Sequence, residues 1–292
     1  MNTSQIYQEV TSRILAEMEK GIIPWLKPWT CTGGAVSHTS GRPYSLLNQI
    51  LIMLDGGESD VHYGEYLTFK QAKAEGGMVR KGEKGRFIVF WKMYSKEEEK
   101  DGEKTMNVIP VLRSYYVFEV SQCDGIKRKY EPEKHPTLSP VAEAEDVVAK
   151  YFDRETCGLR ICESDRAYYS PSVDIVNVPQ MSQYDAVEEY YGTLFHEMTH
   201  STGHKTRLDR FMDGSTFFGS EVYSKEELVA EMGSAFMLNR LGIESKKAFR
   251  NSVAYLQGWS SKLRKDSKLF VNAASKAEAA VNYIINGKEA AK

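Results

Sequence analysis

Apolar residues repeat at helical spacing in several places in the first half of the chain. One run predicts an amphipathic helix through Ile6, Val10, Ile14 and Met18. Residues 44–54 predict a second, buried helix, and a capping box at Thr68 begins a short third one. Residues 87–91 and 108–120 are rich in β-branched and aromatic side chains and predict strands, with a charged loop over 95–104 between them. The first half is therefore predicted to be α+β.

The second half has the pattern of a mainly helical domain with a small β-sheet. Helices are predicted at 142–152, 185–203, 224–241, 247–264 and 273–286. Short strands are predicted at 159–162, 167–169 and 175–178. Three prolines fall in a polar run between the halves, which is typical of a linker. We therefore predict a domain at 1–128, a linker at 129–140 and a second domain at 141–292.

Composition excludes several classes of function. Of the 292 residues, 41% are hydrophobic and 27% are charged, which is typical of a globular protein with a sizeable core. No run of about 18 apolar residues occurs, so we expect no membrane partner, and the N-terminus lacks the apolar core of a secretion signal. The four cysteines form no CxxC pair, which indicates reduced thiols. We expect a cytoplasmic protein.

The clearest chemical motif is His-Glu-x-x-His at positions 196–200. Residues four apart lie on one face of a helix, so His196 and His200 can bind one zinc ion. Glu197, between them, can reach a water molecule at the metal and act as a general base. The motif predicts a zinc-dependent hydrolase, here a metallopeptidase.

A catalytic zinc site needs a third protein ligand. We predict Glu227 as that ligand. Glu231, one turn later, is predicted to hydrogen-bond a ligating histidine without contacting the metal itself. The alternative remains open, because Ser224 and Glu227 also form a capping box, and Glu231 would then be the ligand. The metzincin pattern fails because Thr206 stands where its third histidine would be. Weaker candidates are His204, Asp209 and Asp213.

Such a zinc site keeps one position open for water and polarises a substrate carbonyl. Tyr223 precedes the predicted ligand helix and is a candidate hydrogen-bond donor to the oxyanion, although core packing explains it equally well. The strand at 174–178 could pair with an extended peptide if it lies at a sheet edge.

Basic residues are concentrated between Lys70 and Lys92 in the first half. The net charge of the whole chain is only −2, so nucleic-acid binding would need such a local patch. Cations beside aromatic rings suit single strands, because phosphates contact the cations and bases stack on the rings. Further candidate stacking residues are Trp25, Trp29, Tyr44, Tyr66 and Phe69.

Several motifs resemble ArdC-type antirestriction proteins. In the first half they are Ile-Ile-Pro-Trp-Leu-Lys-Pro-Trp at 22–29, Gly-Arg-Pro-Tyr at 41–44, Tyr-Leu-Thr-Phe-Lys-Gln-Ala at 66–72 and Val-Arg-Lys-Gly-Glu-Lys-Gly at 79–85. In the second half they are Leu-Phe-His-Glu at 194–197, Thr-Gly-His at 202–204 and Glu-Glu-Leu-Val-Ala-Glu at 226–231. The motifs keep their order over nearly the whole chain.

The resemblance implies an N-terminal domain that binds single-stranded DNA and a gluzincin-like metallopeptidase domain. It also implies a plasmid, phage or conjugative origin and protection of incoming DNA from restriction. Carried over, His196 and His200 are zinc ligands, Glu197 is the catalytic carboxylate and Glu227 is the third ligand. We assign DNA contacts to Lys27, Arg42, Lys70, Arg80, Lys81, Lys84, Arg86 and Trp91. Ser201 departs from the family, in which an aromatic residue is expected.

Two interpretations of function compete. In the first, the chain is a zinc peptidase with an unknown protein substrate, joined to a DNA-binding domain. In the second, it coats single-stranded DNA and its zinc domain is structural or catalytically idle. The presence of Glu197 favours the enzyme, since a structural zinc site needs no general base. A nuclease is less consistent with the motif, because two-metal nuclease sites need clustered carboxylates.

Overall fold

The structure is a computed structural model that describes residues 1–25, 34–56, 64–100, 103–130, 140–163, 166–211, 221–243 and 253–288. In the first half, chain order gives α1 (Thr3–Glu19), β1 (Ala35–Ser37), α2 (Leu46–Asp55), β2 (Gly64–Thr68), α3 (Phe69–Ala74), β3 (Met78–Val79), β4 (Arg86–Lys100), β5 (Glu103–Glu119) and β6 (Cys123–Asp124). In the second half it gives α4 (Pro140–Arg154), β7 (Gly158–Cys162), β8 (Tyr168–Ser170), β9 (Ile175–Pro179), α5 (Val187–Ser201), α6 (Glu221–Arg240), α7 (Val253–Lys265) and α8 (Leu269–Asn286). None of the helices within these ranges is long and apolar enough to cross a membrane.

A four-stranded sheet in the order β1-β2-β5-β4 organises the first half. β1 and β2 are parallel, whereas β5 pairs antiparallel with both β2 and β4. α1 begins at a capping box in which Asn2 accepts from the Gln5 amide and Gln5 accepts from the Asn2 amide. Its apolar face and α2 pack on the sheet through Phe87, Val89 and Leu112.

The β4–β5 hairpin is longer than the sequence pattern predicts. Residues 95–104 are predicted as a charged loop, but strand pairing continues from Ser95 opposite Val108 as far as Lys100 opposite Glu103. The hydrogen-bonded ladder therefore outweighs the low strand preference of the charged residues. Asp-Gly at 101–102 is a sequence signal for a hairpin turn that the prediction overlooked.

The second half places a small three-stranded sheet, in the order β7-β9-β8, against helices. β9 pairs parallel with β7 and antiparallel with β8. α5 contacts β8 and β9 on one side and α6 on the other, while α8 packs against α4, α5 and α6. This arrangement sets α5 between the sheet and α6, and those three elements surround the candidate site.

One hydrophobic core joins the two halves. It contains residues of α1, α2, β4 and β5 together with Leu228, Val229 and Met232 of α6, and with residues of α7 and α8. Trp25 lies in this core with 2% of its surface exposed, and its ring contacts Trp259 at 6.4 Å between centroids. Core packing therefore connects the helix that carries Glu227 to the N-terminal sheet.

The beginning of the predicted linker is bound to the N-terminal half. The backbone amides of Lys129 and Tyr130 donate to the fully buried carboxylate of Glu65 at 2.7–3.0 Å. His38 is also buried, and its two ring nitrogens lie 2.5 Å from Glu65 and 3.1 Å from Glu75. Hydrogen bonds to a buried carboxylate are charge-assisted, so they hold this segment in place.

Candidate metal centre

α5 presents both histidines of the motif on one face. His196 and His200 are separated by one helical turn, and their Nε2 atoms lie 3.1 Å apart. The opposite face of α5 carries Tyr191, Leu194, Phe195 and Met198, all 1% exposed or less, which pack in the second hydrophobic core. Burial of that face turns the two imidazoles toward the cleft between the small sheet and α6.

α6 brings Glu227 to the same point. Its Oε1 lies 3.3 Å from His200 Nε2, and its Oε2 lies 3.6 Å from His196 Nε2. Zinc holds nitrogen and oxygen donors at about 2.0–2.2 Å, so a tetrahedral site spaces two donors roughly 3.3–3.6 Å apart. Two imidazoles and a carboxylate at these separations fit a zinc ion with one position left open. Within the described ranges, these three residues form the only group able to hold a metal.

Glu197 lies beside the three ligands but faces a different environment. Its surface is 8% exposed, and burial raises the pKa of its carboxyl, while the nearby histidines and a hydrogen bond from the Tyr169 backbone oppose the rise. For Glu227 the balance is the reverse. Burial would raise its pKa, but the adjacent imidazoles of His196 and His200 lower it below its usual range. The pKa values of the two carboxyls are therefore shifted in opposite directions, upward for Glu197 and downward for Glu227.

Glu226, which the sequence reasoning did not select, lies on the outer side of His200. Its Oε1 is 3.6 Å from His200 Nδ1, and Arg210 donates to both of its oxygens. Burial would lower the pKa of His200, but the neighbouring carboxylates of Glu226 and Glu227 raise it to about 9. Glu231 is directed elsewhere, since its Oε2 accepts from Trp25 Nε1 at 3.4 Å in the shared core.

The remaining candidates lie apart from the ligand trio. His204 is not part of the trio, and its Nδ1 lies 2.9 Å from the Thr206 hydroxyl. Asp209 is exposed in the turn after α5, with φ at 47°. Asp213 and the side chain of Tyr223 fall outside the described residues, although Tyr223 itself lies in α6.

A cleft of about 270 Å³ contains the metal ligands and Glu197. Its opposite wall is formed by residues of the β8 region and the turn after α5: Ala167, Tyr168, Tyr169, Pro171 and Phe211. The strand at 174–178 does not meet the condition for pairing with a peptide, because β9 is the central strand and pairs on both sides. β8 is an edge strand of this sheet among the described residues, and it lines the cleft.

The predicted DNA-contacting residues that the structure describes lie in different environments and do not form one surface. Arg42 and Trp91 line a groove on the N-terminal sheet, and Lys70, Lys81 and Lys84 are exposed elsewhere on that half. Arg80 pairs with Glu83 and Asp124 at the surface. Arg86 turns inward, where it lies over the Tyr66 ring and donates to the Ile52 carbonyl. Lys27 lies outside the described residues.

The candidate stacking residues also separate by burial. Trp25 and Tyr66 are buried, at 2% and 1% exposed, so their rings pack in the interior. Tyr44 lines the groove and Phe69 is exposed on α3, while Trp29 lies outside the described residues.

We call the groove on the N-terminal sheet the stacking groove; it has a volume of about 520 Å³ and is lined in part by Arg42, Tyr44, Phe90, Lys92 and Tyr115. Phe90 and Tyr115 are 45% and 42% exposed, and their ring centroids lie 6.2 Å apart. Further along the same sheet face, Tyr94 lies beneath Lys92 and Arg113 at 5.2 and 5.7 Å. Sequence reasoning missed Tyr94, Arg113 and Tyr115, although strand alternation places them on one face with Phe90.

Both halves of the chain match models of known protein families. A sequence model described as the N-terminal domain of anti-restriction factor ArdC matches residues 4–118, and one described as a zincin-like metallopeptidase matches residues 147–276. Crystal structures of the antirestriction ArdC protein from the R388 plasmid, one metal-free and one with Mn(II) bound, share 36% identity with this chain. Each superposes with a TM-score of 0.73 and covers 95% of this chain and 96% of that chain. The chain belongs to the ArdC antirestriction family. The predicted α+β class and zincin-like second half are thereby confirmed.

Other proteins that are similar to this chain differ in length. An uncharacterized protein, y4eC of Sinorhizobium fredii (strain NBRC 101917 / NGR234), is 31% identical over 96% of this chain and 92% of its own length. Two Escherichia coli DNA primases named TraC are 34% and 32% identical over 96% of this chain. The chain spans only 27% and 20% of their respective lengths.

The predicted zinc cofactor is confirmed by the zincin-like match together with the convergence of His196, His200 and Glu227.

Proposed function

We propose that this chain is a zinc-dependent peptidase joined to a module that binds single-stranded DNA, and that it protects incoming DNA of a mobile genetic element from restriction. The observation that carries the proposal is Glu197, which lies between two metal ligands in the cleft without being needed to hold the metal. A purely structural zinc site is closed by four ligands and has no use for a buried general base beside it.

His196, His200 and Glu227 would hold the zinc ion, which supplies a Lewis acid that polarises the substrate carbonyl. Glu197 accepts the proton of the attacking water and passes it to the leaving amine. Its burial supports this role, because with 8% of its surface exposed the carboxylate lies beside the metal ligands and away from bulk water.

An extended peptide fits the cleft as substrate. β8 lines it, and the backbone groups of an edge strand can pair with a further strand. Tyr168, 43% exposed, and Pro171 stand on that side, where they would contact substrate side chains. Pairing of the substrate peptide with β8 would thus place its scissile bond opposite Glu197.

We place single-stranded DNA in the stacking groove. Exposed rings at Phe90 and Tyr115 provide faces on which bases stack, and Arg42 and Lys92 provide charge for the phosphates. Each stacked base contributes about 1–3 kcal/mol in such sites. Because phosphate contacts release counterions, binding should weaken steeply as salt is raised.

The variant Glu197→Gln tests the enzyme. An amide cannot take the proton of the attacking water, so peptide hydrolysis should fall by about 10²–10⁴-fold. Zinc content and DNA affinity should stay at the wild-type level, because Glu197 is not a ligand. Glu188→Gln in the first turn of α5 is the matched control and should keep full hydrolysis. Hydrolysis by Glu197→Gln at the wild-type rate would refute the assigned role.

Protection of incoming DNA in a conjugation assay decides between the two interpretations. Loss of protection with Glu197→Gln would show that hydrolysis is required. Full protection by a hydrolytically dead variant would favour the alternative, in which the stacking groove coats single-stranded DNA and the zinc domain is dispensable.

A further inference from the structure

Arg210 and Glu226 form a buried ion pair directly behind His200. The Nη2 and Nε atoms of Arg210 donate to Oε1 and Oε2 of Glu226 at 2.6 and 3.1 Å. The two side chains are 6% and 11% exposed. A two-point contact between a guanidinium and a carboxylate fixes the orientation of both groups.

The turn after α5 delivers Arg210 to this position. Asp209 adopts a left-handed conformation with φ at 47°, and the Arg210 amide donates to the Gly203 carbonyl at 2.9 Å. The guanidinium then donates to the Thr199 carbonyl and the Thr202 hydroxyl, both at 2.7 Å. Arg210 thereby adds a second donor to the Thr199 carbonyl, which also accepts from the Thr202 hydroxyl at 2.7 Å, while it holds a side chain of α6.

The two nitrogens of His200 face different carboxylates. Nε2 points toward Glu227 at 3.3 Å and toward His196, where the metal ligands converge. Nδ1 points toward Glu226 at 3.6 Å. A neutral imidazole has one N–H and one lone pair, so a carboxylate on the Nδ1 side favours the tautomer that leaves Nε2 free for a metal.

We infer that Glu226, held by Arg210, is a positioning residue that orients His200 for zinc binding. The inference rests on the proposed metal centre and adds to it the pair that keeps one ligand in place. Arg210 occupies both oxygens of Glu226, which also keeps this carboxylate from competing with Glu227 for the metal. Glu226 and Glu227, which are adjacent in α6, thus have different roles, because Glu226 orients His200 and Glu227 binds the metal.

The test is zinc affinity of the full chain, measured by competition with a chromophoric chelator. Glu226→Gln retains the shape of the side chain but removes its charge. We expect zinc to bind about 10–100-fold more weakly, the range seen when partners of metal-ligating histidines are changed. Lys225→Gln, on the exposed neighbouring position of α6, is the control and should bind zinc like the wild type.

A double variant separates positioning from stability. Glu226→Gln alone leaves the Arg210 charge buried without a carboxylate, which destabilises the fold. Adding Arg210→Met removes that charge, so the melting temperature should recover from that of Glu226→Gln to that of Arg210→Met alone, which lacks the hydrogen bonds to Thr199 and Thr202. The zinc affinity of the double variant should remain at least tenfold weaker than that of the wild type if Glu226 acts through His200. Recovery of affinity together with stability would show that the pair is only structural and would overturn the inference.

The remaining outcomes are also decisive. If the wild-type chain binds no zinc, the proposed metal centre fails and the inference fails with it. If the wild type binds one zinc and folded Glu226→Gln binds it within threefold, the metal centre stands and the positioning role is refuted. Long-range nitrogen-15 spectra of the zinc-loaded wild type should show the His200 proton on Nδ1.

Discussion

The pair of Arg207 and Asp174 connects the small sheet to the end of α5, and its removal should destabilise the fold. Arg207 has no exposed side-chain surface and Asp174 is 16% exposed. The guanidinium donates from both Nη atoms to the Asp174 carboxylate, from Nε to the Ser201 carbonyl at 2.7 Å, and from Nη2 to the Tyr169 hydroxyl at 3.1 Å.

We predict that Asp174→Asn lowers the free energy of unfolding by about 3–5 kcal/mol, because it leaves the buried Arg207 charge uncompensated. The substitution removes the charge at position 174 without adding backbone strain. Asp174 has φ at 51°, a conformation that asparagine accepts about as well as aspartate. Arg207→Met should also destabilise the chain, since Asp174 loses its counter-charge and the Ser201 carbonyl loses its donor.

Acid should weaken the same contact. Burial would raise the pKa of Asp174, but hydrogen bonds from Arg207 and Tyr169 lower it to about 2. A carboxyl with a depressed pKa stabilises the fold above its unfolded value near 4 and loses that contribution as pH falls toward 2. The difference corresponds to roughly 2–3 kcal/mol. The wild type should therefore lose more stability between pH 4 and pH 2 than Asp174→Asn does.

Urea unfolding of the metal-free proteins, followed by circular dichroism at several pH values, measures both effects. Arg160→Met, on an exposed position of β7, is the control and should change stability by less than about 0.5 kcal/mol. A loss below about 1 kcal/mol for Asp174→Asn, or an unchanged acid dependence, would show that the ion pair contributes little to the fold.

Three further predictions concern the metal centre, the stacking groove and the shared core. Glu227→Ala should abolish zinc retention in elemental analysis while Glu231→Ala retains zinc; the opposite ranking would make Glu231 the ligand. Phe90→Ala with Tyr115→Ala should weaken single-stranded-DNA binding by about 2–6 kcal/mol in fluorescence titrations, and equal affinity for duplex DNA would contradict base stacking. Trp25→Ala should destabilise both halves together in calorimetry, by about 3–5 kcal/mol; two separate transitions would contradict a common core.

The sequence by itself indicated the elements that depend on local pattern. The four-residue spacing of His196 and His200 on an apolar helix follows from helical geometry, and α5 has that form. The α+β class followed from the change between strand and helix periodicity, since each element must bury one face. The zinc cofactor followed from the chemistry of the side chains in the motif.

The third ligand could not be chosen from spacing alone. Glu227 and Glu231 lie one turn apart, so either could face the histidines. The choice depends on how α6 is rotated against α5 and the core. In the structure Leu228, Val229 and Met232 are buried in the shared core, which directs Glu231 to Trp25 and Glu227 to the cleft.

The residues that sequence reasoning missed depend on contacts between distant segments. Glu226 adjoins His200 through the packing of α6 on α5, and the turn after α5 brings Arg210 to the same carboxylate. Tyr115 joins Phe90 only through the register of the long hairpin. Local pattern determines which face of an element is apolar, whereas long-range packing determines which polar side chains meet, because those contacts form between elements whose relative orientation no local pattern encodes.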